Sequence, residues 1–424
     1  MKLKTIIGAV LAIGVVGIGF AFWMMWRPEI ATVSQPRNAG RETLDRGRRV
    51  VEAGDCAVCH TRPGGAYMAG GLPLITPFGT LFTTNITPDR ETGIGQWSLD
   101  AFERAMREGI ARDGHFLYPA FPYVHYRKMS DTDIADAYAF LMSVDPVNYT
   151  APENHMVFPM NFRPLVSFWN LLFLHGDPLE PLPDRSAQWN RGRYLVEGAG
   201  HCSSCHSPLN LIGGEKSSEL FNGAIVDGWS APALRGMATA QHPWSEAQLV
   251  AYLTGEVAEG HGAAAGPMLP VSLSIAQLPV EDAHAIAQYI LDLKKTSPDA
   301  TLPPCAAEAK PGAKALLGAS LFDGACASCH GSAAPMRVIE SRPALANTSA
   351  VMADSPRNLI QTILQGIPMS TAAPSHYMPA FAHSLDDTHL AAIAEYLRNE
   401  SCATRPWTDL DQTIKSIRAQ EQQP

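Results

Sequence analysis

The sequence predicts a mainly α protein: three tandem helical domains behind an N-terminal transmembrane helix. Three observations carry this prediction. One five-residue signature recurs three times, each copy is flanked by similar helical stretches, and the chain opens on a long uncharged run. The signature reads Cys56-Ala57-Val58-Cys59-His60, Cys202-Ser203-Ser204-Cys205-His206 and Cys326-Ala327-Ser328-Cys329-His330. Two cysteines at this spacing reach two vinyl groups on one edge of a porphyrin, and the adjoining histidine turns its imidazole onto the metal. Each copy therefore reads as a covalent c-type haem attachment site. The expected cofactors are three covalently bound haem c, held by Cys56, Cys59, Cys202, Cys205, Cys326 and Cys329, with His60, His206 and His330 as proximal iron ligands. Tetrahedral zinc would need further paired ligands in each copy, and none appear. A redox CxxC would explain neither the repeated histidine nor the triplication.

The first element is the apolar run. Lys2 and Lys4 precede an uncharged stretch from Ile6 to Trp26, long enough to cross a bilayer, and Trp23 and Trp26 stand where interfacial aromatics belong, just before Arg27. Residues 1–27 are thus expected to be a membrane anchor. A cleaved signal peptide is the rival reading, and the absence of a small-residue cleavage site in Phe20 to Trp26 argues against it. By the positive-inside rule everything after Arg27 faces the periplasm, with the chain held in the inner membrane.

The repeats come next. Arg46-Gly47-Arg48-Arg49-Val50-Val51-Glu52 and Arg191-Gly192-Arg193-Tyr194-Leu195-Val196-Glu197 precede the first two signatures, and Gly318 and Phe322 precede the third. At the far ends lie Asp133 to Val144, Glu281 to Leu293 and Asp387 to Arg398, with helical apolar spacing and a central Tyr138, Tyr289 or Tyr396. This arrangement resembles the class I cytochrome c fold, in which the first and last helices cross beside the haem. The resemblance implies that the glycine permits the close approach and the aromatic fills the crossing. The expected domains are residues 40–150, 186–295 and 311–403. Between them lie a proline- and aromatic-rich linker (151–185), read either as a strap packed on a neighbouring domain or as a partner- or membrane-binding element, and an extended Pro/Ala linker (296–310). The polar tail, 404–424, is expected to be loosely held. Cys305 and Cys402 flank the third domain, either as a disulfide clasping it or as two thiols, with an oxidising compartment favouring the bridge.

A chain of 424 residues has room for three domains, and 46% hydrophobic and 17% charged residues suit a folded chain with a membrane segment. The net charge of -9, made more negative by haem propionates, argues against nucleic acid as a partner.

The sixth iron ligand follows from the internal repeat. Met268 lies 13 residues after Gly255 and Met378 lies 12 after Gly366, both in proline-bracketed loops before the last helix, so both are expected distal ligands. In the first repeat Phe121 falls 12 residues after Gly109 and 24 after Trp97, as Met268 falls 24 after Trp244, and phenylalanine has no donor atom. His125 is the expected distal ligand there, with Met129 the alternative, His115 a further candidate, and water, another residue or no sixth ligand the remaining readings. Met129 also reads as a core side chain, since it precedes the helix-capping pair Ser130-Asp131. Bis-histidine ligation would set the first haem at lower potential than its neighbours.

Asn85-Ile86-Thr87-Pro88-Asp89, Gly93-Ile94-Gly95-Gln96-Trp97-Ser98 and Leu117-Tyr118-Pro119-Ala120 are similar to runs in the three-haem cytochrome c subunits of membrane-bound bacterial dehydrogenases, over nearly the whole chain. Members of that family partner with quinoprotein alcohol dehydrogenases, flavoprotein sugar and gluconate dehydrogenases, or molybdenum hydroxylases. Alcohol dehydrogenase cytochromes usually carry methionine where Phe121 stands. Pro119-Ala120-Phe121-Pro122-Tyr123-Val124-His125-Tyr126, with Asn161-Phe162-Arg163-Pro164 and Gly266-Pro267-Met268, more closely resembles the molybdenum hydroxylase branch, whose aldehyde and nicotinate or isoquinoline-type dehydrogenases share that form. The resemblance implies an electron-transfer subunit, not itself an enzyme. It would work beside a catalytic dehydrogenase subunit and a small iron–sulfur subunit and pass electrons to ubiquinone or a terminal oxidase. No pterin, flavin or dinucleotide signature stands in the chain. A self-contained haem peroxidase using the first haem is the competing class, and a haem-based sensor fits less well because no signalling domain accompanies the haems.

Overall fold

The computed structural model describes residues 6–7, 11, 14–15, 17, 19–20, 23–34, 39–294, 305–306, 312–338, 342–369 and 377–421. Among these, no helix is long and apolar enough to cross a membrane, and nine of the 21 residues of the expected span from Ile6 to Trp26 lie outside them. The expected 296–310 linker also lies outside them, apart from Cys305 and Ala306. The chain divides into two compact units, residues 1–180 with 197–201, and residues 181–196 with 202–424.

In the first unit, α1 (Arg41–Ala53) crosses α5 (Asp131–Leu141), with α2 (Cys56–His60), α3 (Leu99–Glu108) and α4 (Tyr123–Tyr126) between them in the chain. Ser98 and Ser130 cap α3 and α5, each accepting from a backbone N–H of the first turn, so the predicted Ser130 cap is formed. At the crossing a Cβ on Gly47 would lie 2.0 Å from the Asp136 carbonyl oxygen, so only glycine allows the helices this close. Arg46 reaches over the contact to Asp136 at 2.6 Å. The aromatic against the glycine is Phe140, whose Cβ would be 2.8 Å from that added atom, and not Tyr138. Tyr138 sits two residues earlier, on another face of the helix, where it packs on Phe102 and donates to the Trp97 carbonyl at 2.7 Å. An antiparallel sheet of β1 (Pro73–Thr76), β2 (Gly79–Phe82) and β3 (His155–Met156) borders the unit, with Pro73 opposite Phe82 and Thr80 opposite His155. The aromatic-rich stretch forms α6 (Val166–Phe173), whose first residue packs with Ile110 and Phe116 while Leu171 and Leu172 stay exposed.

The second unit repeats the crossing twice. The helix α7 (Ala187–Tyr194) meets α11 (Val280–Asp292), with α8 (Ser203–His206), the hairpin β4 (Ala224–Val226) and β5 (Trp229–Ala231), α9 (Glu246–Leu253) and α10 (Met268–Ile275) between them. A Cβ on Gly192 would lie 1.9 Å from the Ala285 carbonyl oxygen and 2.9 Å from the Cβ of Tyr289. Arg191 pairs with Asp282 at 2.8 Å, as Arg46 does with Asp136. The third crossing joins α12 (Ala313–Ala325) to a later helix across α13 (Ala327–His330), α14 (Ser349–Met352) and α15 (Arg357–Gln365). That partner is α16 (Asp387–Cys402), and Gly318 meets the Ala392 carbonyl and Tyr396 there in the same way. Tyr289 and Tyr396 thus fill their crossings as expected.

The tail expected to be loosely held instead forms α17 (Leu410–Glu421). Leu410, Ile414 and Ile417 recur at helical spacing and bury one stripe against Leu359, Leu390 and Leu397. The polar composition between these three residues concealed the stripe.

Cys305 and Cys402 form a disulfide across 97 residues, and the other six cysteines stay outside disulfides. Closing so long a loop restricts the unfolded chain. Reducing the bond, or replacing Cys305 with serine, is expected to cost about 2–4 kcal/mol. Chemical denaturation of the purified chain with and without reductant measures this, and coincident midpoints would show that the bridge adds nothing.

Candidate haem sites

Each signature forms a short helical turn after the glycine-bearing helix, with a π-helical turn (Leu195–Ala199) between them in the second repeat, and the i, i+3 spacing brings the two cysteines of each turn together with the histidine one residue on. The histidines share one further feature. His60 Nδ1 lies 2.6 Å from the Thr84 carbonyl, His206 Nδ1 2.7 Å from that of Pro232, and His330 Nδ1 3.4 Å from that of Pro343. A carbonyl only accepts, so Nδ1 carries the proton and donates, which leaves the Nε2 lone pair for a metal. Burial holds all three imidazoles below the ordinary histidine range, against the opposing pull of these carbonyls. It also pushes the Cys56 and Cys202 thiols up to about 12 and raises Cys326. Neutral imidazoles with the Nε2 lone pair available, beside paired thiols, are the donor set a covalent haem requires. The sequence does not reveal the accepting carbonyls, which lie 24, 26 and 13 residues after their histidines and share no motif.

The second repeat supplies an independent test of fit. His261 Nε2, Ser272 Oγ and Gln288 Oε1 are buried without a hydrogen-bond partner among the described residues. Buried polar atoms left this way call for a polar occupant, and haem brings carboxylates as well as an apolar ring. Ser272 lies one turn after Met268 on α10, on the same helical face. His261 stacks on Trp244 at 3.7 Å, and burial, with His242 at 4.2 Å, lowers it to about 4, so its ring is neutral at neutral pH.

The distal candidates are placed as follows. Met268 is the first residue of α10, half-buried behind Pro267. Met378 pairs with Ile367 through both backbone hydrogen bonds and packs, half-buried, on the third core. In the first repeat the corresponding partner of Ile110 is Phe116 and not Phe121, although the intervals from glycine match. A tight turn at Gly114, with φ +92°, closes that hairpin early. Phe121 instead packs between Tyr123 and Tyr126. His125 is buried in α4 with Nδ1 3.4 Å from the Glu197 carbonyl. Met129 is buried just beyond that helix, its carbonyl bonded by Arg107 at 3.1 Å. His115 is held by Asp113 at 2.5 Å. Tyr126 is the residue that motif reasoning passed over. Its hydroxyl donates to the Gly54 carbonyl at 2.9 Å and lies beside Cys56, and burial raises it well above the usual tyrosine range.

Comparison with known proteins identifies the family. Residues 44–145 match the family model described as cytochrome c, and residues 313–397 match that of cytochrome c oxidase, cbb3-type, subunit III. The chain is 48% identical to a nicotinate dehydrogenase subunit from Pseudomonas putida over 93% of its length, and spans 33% of that relative. It is 32% identical to the fructose dehydrogenase cytochrome subunit of Gluconobacter japonicus, covering 92% of this chain and 85% of the relative. It is also 32% identical to the cytochrome c subunit of the alcohol dehydrogenase (quinone) of Gluconacetobacter polyoxogenes, covering 91% and 86%. Thioether-spaced cysteines, imidazoles tied through Nδ1 and likeness to such subunits over most of this chain converge: the chain belongs to the cytochrome c electron-transfer subunits of dehydrogenase complexes.

Proposed function

We propose that the chain is a membrane-anchored periplasmic triheme cytochrome c that accepts single electrons from a catalytic dehydrogenase subunit and delivers them to ubiquinone or the respiratory chain. The observation that carries this reading is the threefold recurrence of a CxxCH turn whose histidine is tied through Nδ1 to a backbone carbonyl. In this reading each of three class I domains holds one haem, which supplies one-electron redox chemistry. The chain's residues attach it, fix the imidazoles and exclude water. Met268 and Met378 serve as distal ligands of the second and third haems, and His125, or else Met129, serves the first. The exposed apolar side chains of Ile6, Leu11, Val15, Phe20 and Trp23 support the anchor. Likeness to the nicotinate dehydrogenase chain of Pseudomonas putida favours, as partner, a molybdenum hydroxylase acting on N-heterocycles or aldehydes, with a small iron–sulfur subunit. Likeness to cytochrome subunits of fructose and quinone-linked alcohol dehydrogenases supports the quinone acceptor and names the alternative partners.

Purification of the native complex from solubilised membranes tests this. Three covalent haems with a molybdenum-containing subunit are expected, and a quinoprotein or flavoprotein partner would overturn the choice of branch. Carbon monoxide binding by the reduced chain, together with peroxide turnover by the isolated subunit, would replace electron transfer with a peroxidase reading centred on the first haem.

A further inference from the structure

The third repeat supports the loop that carries Met268 at two places, directly at its start and through a hairpin of the second repeat near its end. The first is at its start. The His261 carbonyl accepts from the Ser349 backbone N–H at 3.1 Å, and His261 Nδ1 meets Ser349 Oγ at 2.8 Å. The second is near its end. A Cβ on Gly266, two residues before Met268, would fall 2.3 Å from the Trp229 ring, so the indole lies directly on the loop backbone. Trp229 is itself held from both sides by α15. Arg357 and Gln361 donate to the Gly228 carbonyl at 3.0 and 3.2 Å, and Asn358 bonds Ser230 in both directions at 2.8 Å. The same hairpin leads to Pro232, whose carbonyl accepts the hydrogen bond from His206 Nδ1 at 2.7 Å. One hairpin, gripped by the neighbouring repeat, therefore supports the proximal histidine on one side and the methionine loop on the other.

We propose that Ser349 and Asn358, in the third repeat, are positioning residues for the axial ligands of the second haem, so that this haem's potential is set from the neighbouring repeat. The inference rests on the reading of His206 and Met268 as those ligands. An axial thioether raises the potential of a c-type haem, and the carbonyl on the proximal imidazole sets its basicity, so loosening either support moves the potential. Loss of the Ser349 hydroxyl removes the side-chain half of the support at the start of the methionine loop, leaving the backbone hydrogen bond, and lowers the potential. Loss of the Asn358 amide releases the hairpin and shifts the same haem.

The test uses the full haem-loaded chain. Met268→His first identifies the second haem, as the one whose paramagnetic resonance signature changes. Potentiometric titration of Ser349→Ala is then expected to lower that haem's potential and weaken its thioether-to-iron charge-transfer band, with the other two unmoved. Asn358→Ala should shift the same potential, and Ser349→Thr, which keeps the hydroxyl, should restore both readouts. Ser349 is only half-buried and alanine continues α14, so the fold survives that change. If Met268→His alters one haem while Ser349→Ala and Asn358→Ala leave it unmoved, the positioning role is overturned. If Met268→His alters none, the ligand assignment beneath it falls.

Discussion

Replacing Gly192 with valine is expected to abolish the second helix crossing and with it haem loading of that repeat. The reason is spatial. A Cβ there would sit 1.9 Å from the Ala285 carbonyl oxygen and 2.6 Å from its carbon, both rigid backbone atoms. Neither partner can swing aside as a flexible side chain would, so α7 and α11 must separate along their contact. Overpacking of this kind costs about 1–3 kcal/mol for a single methyl group in an ordinary core and more where backbone meets backbone. A branched side chain adds to that, against a total stability of roughly 5–15 kcal/mol for a whole domain. Gly324→Ala is the matched control, because its Cβ would meet nothing within 4 Å and lies within helix α12, so it should be neutral or slightly stabilising. Thermal melts and covalent haem content of the two variants decide the matter. A Gly192→Val chain that melts with the parent and carries its full haem complement would refute the account of the crossing.

The second large effect is on the cofactor itself. Changing Cys202 and Cys205 together to alanine removes both thioether bonds at one site. Covalent haem measured after denaturation is then expected to fall by about a third, if each signature binds one haem. Mass spectrometry of the intact chain counts the loss directly, as one haem mass absent and two retained. An unchanged count would mean that the second signature never carried haem, and a loss of all three would mean that the sites load together.

These two effects mark what was legible beforehand. The CxxCH turns and the glycines at the crossings could be read because both depend on local constraints: a fixed thiol spacing, and a contact only glycine permits. The cap at Ser130 was readable for the same reason. Features that depend on tertiary distance were hidden. The carbonyls of Thr84, Pro232 and Pro343 reach their histidines across loops of unequal length, so no spacing marks them. Tyr138 looked like the crossing aromatic, but Phe140 stands one turn after the carbonyl that faces Gly47, as Tyr289 and Tyr396 do at their own crossings. Equal intervals from Gly109 and Gly366 suggested equal stations for Phe121 and Met378. The short turn at Gly114 breaks that equivalence and brings Phe116 opposite Ile110. Three apolar residues in a polar tail gave too weak a signal for α17, which the third core completes.

The carbonyl partners of the proximal histidines have one more consequence. An amide oxygen accepts a hydrogen bond but is far too weak a base to take the proton. Each Nδ1–H is consequently locked in place whatever the charge on the metal beyond it. In the proposed reading, His60, His206 and His330 would hold iron through Nε2 while the proton stays on Nδ1. These three imidazoles would then add no proton step of their own to electron transfer.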